Sequence, residues 1–85
     1  MKTEHQIKNP KVYIVKNKEI ISFLAKVEAD LTLDGFNSGV VDDKFIVESF
    51  SIKNFIFYKS VQGDYWVTKR DLKEISLEMS HYKPI

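Results

Sequence analysis

Side-chain catalysis needs a nucleophile, an acid–base pair or a bound metal in a cleft, and this chain of 85 residues offers little for any of them. Cysteine is absent, which removes a disulfide framework, a thiolate zinc site and a cysteine nucleophile together. The two histidines, His5 and His81, lie near opposite ends of the chain and read as surface residues. Asp42-Asp43 sets two oxygen ligands side by side, but the ligand pattern of a calcium loop does not surround them. With three glycines in all, neither a dinucleotide fingerprint nor a P-loop is present. The expectation is a protein with no catalytic residues, no metal and no cofactor.

Binding has more material. Lys53, Lys59, Lys69, Arg70 and Lys73 are interleaved with Phe55, Phe57, Tyr58, Tyr65 and Trp66, and cations beside aromatic faces suit a phosphate backbone with stackable bases. In an extended strand Lys53, Phe55, Phe57 and Lys59 share one side, with Asn54, Ile56 and Tyr58 on the other. The same residues also fit a bland account, with aromatic residues in the core and lysines solubilising the surface. Charge is banded along the chain: +4 over residues 1–27, −5 over 28–48 and +2 over 49–85, summing to +1. Near-neutrality limits counterion release, so any nucleic-acid affinity should be modest and salt-sensitive. The acidic band favours an oriented partner or self-association.

Several elements would have to position these groups. Val12-Tyr13-Ile14-Val15 reads as a first strand after Pro10. From Ile21 to Leu33 the odd positions are apolar and the even ones polar except for Leu24, the period of a half-buried strand. A helix competes there: Ile20, Leu24, Val27 and Leu31 stand at helical spacing, Asn17 could cap it, and Ala25, Lys26, Glu28 and Ala29 favour it. We prefer the strand, because the alternation runs on through Leu31-Thr32-Leu33. Asp34-Gly35-Phe36-Asn37-Ser38-Gly39 is the clearest loop. Beyond it, Phe45 to Phe57 is dense in aromatic and β-branched residues. The apolar phase changes between Ile52 and Phe55, which suggests a β-bulge or a short break near Lys53-Asn54. Ser60 to Asp64 reads as a hairpin turn flanked by Tyr58 and Tyr65-Trp66-Val67. Ile75, Leu77 and Met79 alternate with polar residues as a last strand.

These elements predict a mainly β fold, α+β at most: a twisted antiparallel sheet of about five strands around a central hairpin, in one domain spanning 1–85. With 44% hydrophobic residues the chain suits a folded domain. A domain this short has a thin core, which pairing with a second copy would relieve. No run is apolar enough for a membrane span or a signal peptide, so a cytoplasmic protein with no membrane partner is expected.

The hairpin region resembles the stage V sporulation protein G (SpoVG) family of small bacterial regulators. Its pattern of a Phe-x-Val-x-x-Ile-x-Val stretch, a Gly-x-Phe-Val turn and strand, a basic loop and a short strand ending in Pro-Ile has counterparts in Phe50 through Phe57, Gly63 through Val67, Lys69-Arg70, and Ile75 through Pro84-Ile85. Thr32-Leu33-Asp34 is similar to the family's strand-ending Thr-Leu-Asp. The likeness covers about two thirds of the chain. Three departures accompany it. Residues 35–49 look inserted, Thr68-Lys69-Arg70 replaces a Met-Pro-Ser loop, and the chain stops at Ile85 where family members continue into a C-terminal helix.

The resemblance implies a twisted sheet, a homodimer, bacterial or phage origin, and DNA or RNA binding in a regulatory role. By that likeness Lys69 and Arg70 are the phosphate contacts; Lys53, Lys59 and Lys73 join them on alternation and proximity. The competing expectation is a protein-interaction module or enzyme inhibitor, possessing a protein partner and using the acidic band with Asp42 and Asp43 and the aromatics Tyr65 and Trp66.

Overall fold

The computed structural model describes residues 10–31 and 38–82. Strand β1 (Tyr13–Ile14) is followed by helix α1 (Lys18–Asp30), then β2 (Gly39–Val41), β3 (Lys44–Ile52), β4 (Phe55–Ser60), β5 (Tyr65–Val67) and helix α2 (Lys73–His81). The five strands form one antiparallel sheet in the order β1-β5-β4-β3-β2. Strands β2 to β5 run as a meander, and β1 joins at the far edge, Tyr13 opposite Val67. The sheet is curled: Val12, beside the β1 edge, donates its N–H to the Asp42 carboxylate in the β2–β3 turn, 2.9 Å away.

The fold class is the expected one, reached with different elements. The stretch from Ile20, expected to be extended, is a helix over Lys18–Asp30. Asn17 accepts the Ile20 N–H at 3.0 Å and starts it. Ile20, Phe23, Leu24 and Val27 then fall on one buried stripe. The alternating pattern was weak where it mattered: Ala25 and Ala29 have little surface to bury as strand residues, and both are exposed on the helix. Replacing Asn17 with alanine orphans the first-turn N–H and should cost about 1 kcal/mol, read as a lower urea midpoint with an unchanged m-value.

The expected last strand is also a helix. In α2, Ile75 is fully buried while Leu77 is 52% exposed, so the period is helical. Met79, one turn after Ile75, packs with it against the core. The Asp71 carboxylate accepts the Lys73 N–H at 3.0 Å at the start of this helix.

The phase change at Lys53-Asn54 is a reversal of the chain. Ile52 pairs with Phe55, closing a two-residue hairpin turn in which Lys53 has φ 53°. The one register shift between β3 and β4 lies between Ile46 and Glu48. A second two-residue turn, Asp42-Asp43 with φ 50° and 67°, makes β2–β3 a hairpin out of residues that looked inserted. The third turn is where it was expected. Gly63 has φ 96° and donates to the Ser60 carbonyl, and Ser60 Oγ accepts the Asp64 N–H. Thr32 through Asn37, including most of the expected loop, lie outside the described residues, as do His5 and Pro84-Ile85.

Both helices cover one face of the sheet. Ile20, Phe23, Leu24 and Val27 of α1 and Ile75 of α2 meet Phe50, Phe55, Phe57, Tyr65 and Val67. Phe57 is fully buried between Phe50 and Phe55, at ring-centroid distances of 5.6 and 6.2 Å. Val12 and Ile46 are buried too but stand outside that cluster. Strand parity puts them on the opposite face, with Trp66, where the curl of the sheet closes over them.

Candidate functional site

The residues expected to contact phosphate differ in their surroundings. Lys59, on β4, points with Phe55 and Phe57 towards α1, where its ammonium lies 3.1 and 3.2 Å from the two carboxylate oxygens of Glu28. Lys53, in the β3–β4 turn, is ion-paired with Glu78 of α2 at 3.0 Å. Lys69 and Arg70, leaving β5, are exposed, with their cations 5.5 Å from the Phe55 ring and 4.7 Å from the Tyr13 ring. Lys73 is exposed beside them, but Asp71 and Glu74 line the same recess. Lys59 is thus taken up by Glu28 and Lys53 is paired with Glu78, while Lys69, Arg70 and Lys73 stand exposed with Asp71 and Glu74 among them.

The residues of the competing expectation are also divided. Tyr65 is buried, and its hydroxyl donates to Glu28, so it cannot serve as an exposed anchor. Trp66 is half-buried on the opposite face, with the Lys44 ammonium 4.6 Å above its ring. Its indole N–H, shut off from solvent, has no acceptor among the described residues. Asp42 is half-buried and holds the Val12 N–H, whereas Asp43 is exposed.

Glu28 and Glu48, counted in the acidic band, belong to a half-buried polar cluster between α1 and the sheet. Burial alone would raise the Glu28 pKa; hydrogen bonds with Glu48, Tyr65 and Lys59 outweigh it and hold the group below its ordinary value. Glu48 moves the other way, because its contact with Glu28 favours the protonated acid and burial adds to this. Its Oε2 atom is sealed from water and has no hydrogen-bond partner among the described residues. Tyr65 is held well above the usual phenol range by burial and by its bond to Glu28. The cluster fastens α1 to β3, β4 and β5.

A different surface stands out at the other end of the sheet. Val40, Phe45 and Val61 are 54%, 67% and 61% exposed, and with Val47, Ser38, Gly39 and Ile46 they line a groove of about 400 Å³. Among the described residues, no charged side chain lines it. Val40 and Phe45 are cross-strand partners, and the Val61 N–H binds the Phe45 carbonyl, so three segments fix this surface. Sequence reasoning assigned Phe45 to a strand and stopped there. The signal it passed over was Val40-Val41 before Asp42-Asp43, a short strand entering a turn made without glycine.

No protein-family model, curated protein or solved structure matches this chain. The strand that the SpoVG likeness required before Thr32-Leu33-Asp34 is α1, and the short strand it required towards Pro84-Ile85 is α2. Among the described residues, no group of three or more metal-ligating side chains is assembled, and no helix is long and apolar enough to cross a membrane.

Proposed function

We propose that this protein is an interaction module that docks a protein partner on the Val40–Phe45–Val61 end of its sheet. The observation that carries this reading is the exposure of four large apolar side chains around one uncharged groove. Water contact at such a surface is unfavourable by about 25 cal/mol for each Å², and contiguous apolar patches on small domains mark interaction sites. The buried core does not need these residues: none of the four belongs to the cluster under the helices.

Nucleic-acid binding is the second reading, favoured by the exposed pair Lys69 and Arg70 where β5 ends. One experiment weighs the two. Immobilised wild-type protein is presented with nuclease-treated cell lysate, alongside Phe45→Ser/Val61→Ser and Lys69→Glu/Arg70→Glu variants whose melts match wild type. The interaction reading expects protein capture that survives nuclease, is lost in the Phe45/Val61 variant and persists in the Lys69/Arg70 variant. Capture that disappears with nuclease or with the Lys69/Arg70 change would reverse the assignment.

A further inference from the structure

Among the described residues, the groove lies directly beside an open sheet edge. Strand β2 ends the sheet order, and a two-residue turn makes Val41 and Lys44 its first pair. Pairs in such a hairpin alternate between bonded and non-bonded from the turn outward. Gly39 and Val41 therefore spend their backbone groups on β3, while the N–H and C=O of Val40 point away from the sheet. An unpaired edge of this kind is a template for another strand. Here an apolar groove adjoins it, ready for alternate side chains of whatever pairs there.

Charge and area indicate what pairs there. The adjoining turns carry exposed carboxylates, Asp43 on one and Asp64 on the other. The nearby cation is turned inward, with Lys44 over the Trp66 ring and donating to the Asp42 carbonyl at 2.9 Å. The rim is thus acidic around a groove lined by uncharged side chains. A second copy would bring the same acidic rim, and the four exposed side chains offer on the order of 400 Å² per copy, so two copies would bury about 800 Å², short of the ~1,200 Å² where stable assemblies begin. A strand that adds main-chain hydrogen bonds along the edge does not depend on area alone.

Building on the interaction reading above, we infer that the open edge of β2 receives an extended segment of a partner protein as a sixth, edge-added strand, with alternating apolar residues and Lys or Arg at its flanks.

The probe is a display library of random ten-residue peptides selected on the intact protein, followed by synthesis of an enriched peptide. Enriched sequences should alternate apolar residues between basic flanks. The peptide should slow hydrogen exchange at the Val40 amide, and methylating its central backbone nitrogens should weaken it by about tenfold or more. Val40→Pro should act alike from the protein's side; because that N–H faces outward, the ladder with β3 is kept.

Acidic flanks, apolar residues at helical spacing, indifference to backbone methylation, or no enrichment would each overturn the inference. A dimer that protects Val40 and excludes peptide would overturn it in favour of a second copy. In all of these cases the Phe45/Val61 capture experiment still decides whether the apolar patch is a docking face.

Discussion

Replacing Phe57 with alanine should lower the unfolding free energy by about 3–5 kcal/mol, the largest effect expected of any single change in this chain. Phe57 is fully buried at the centre of the sheet, opposite Phe50 on β3 and Val67 on β5, and stacked with Phe50 and Phe55. Both helices pack into the same cluster, so the cavity opens within the core that α1 and α2 share with the sheet. Small domains have roughly 5–10 kcal/mol in hand, and much of that is removed. Urea unfolding followed by far-ultraviolet dichroism would measure it, with Ile56→Ala as the control. Ile56 is 41% exposed on the other face, and its truncation should cost under about 1 kcal/mol. Equal losses at the two positions would contradict the placement of the core.

The second large effect is on pH dependence. Glu48 has a raised pKa in the folded protein, so the folded state binds that proton more tightly than the unfolded chain does. Its contribution is therefore complete below the unfolded value of 4.5 and is lost as pH rises through the folded value. Glu28 is lowered; its contribution is present above 4.5 and is lost as pH falls through its folded value. The two carboxyls are therefore pushed apart, Glu28 towards the charged form and Glu48 towards the protonated one.

Glu48→Gln supplies a permanent donor towards Glu28 and removes the second negative charge. The variant should melt higher than wild type at neutral pH, with the gap closing as pH falls to 4.5. Glu28→Gln should do the reverse, melting lower at neutral pH because Lys59, 31% exposed, loses its counter-ion in a half-buried site. Thermal melts between pH 4 and 8 test both. A Glu48→Gln curve parallel to wild type would mean that Glu48 titrates as a surface carboxylate.

The β4–β5 hairpin was legible in the sequence because Gly63 announces its turn and Tyr65-Trp66-Val67 its return strand. The other two hairpin turns were not, for one shared reason. Asp42, Asp43 and Lys53 adopt positive φ without being glycine, a conformation that costs non-glycine residues energy and that the surrounding ladders impose. The candidate sites fared similarly. Residue type marked Lys59 and Tyr65 as surface groups, yet both are consumed by Glu28, 31 and 37 positions away in the chain. No local pattern reports such a pairing.

The amino-acid order alone determined the class of fold, the absence of thiol chemistry, the aromatic strands and the glycine turn, since composition and nearest-neighbour geometry act over a few residues. Only the tertiary structure decided between strand and helix for Lys18–Asp30 and Lys73–His81, where both periods fit the same apolar residues. The face of Phe50, Phe57 and Val67 made that choice. A helix laid across it buries Ile20, Phe23, Leu24 and Val27 on one side and leaves Ala25 and Ala29 in water. It likewise decided which apolar residues were left over. Val40, Phe45 and Val61 are as hydrophobic as those in the core, and they face solvent because they lie at the end of a sheet whose helices cover other strands.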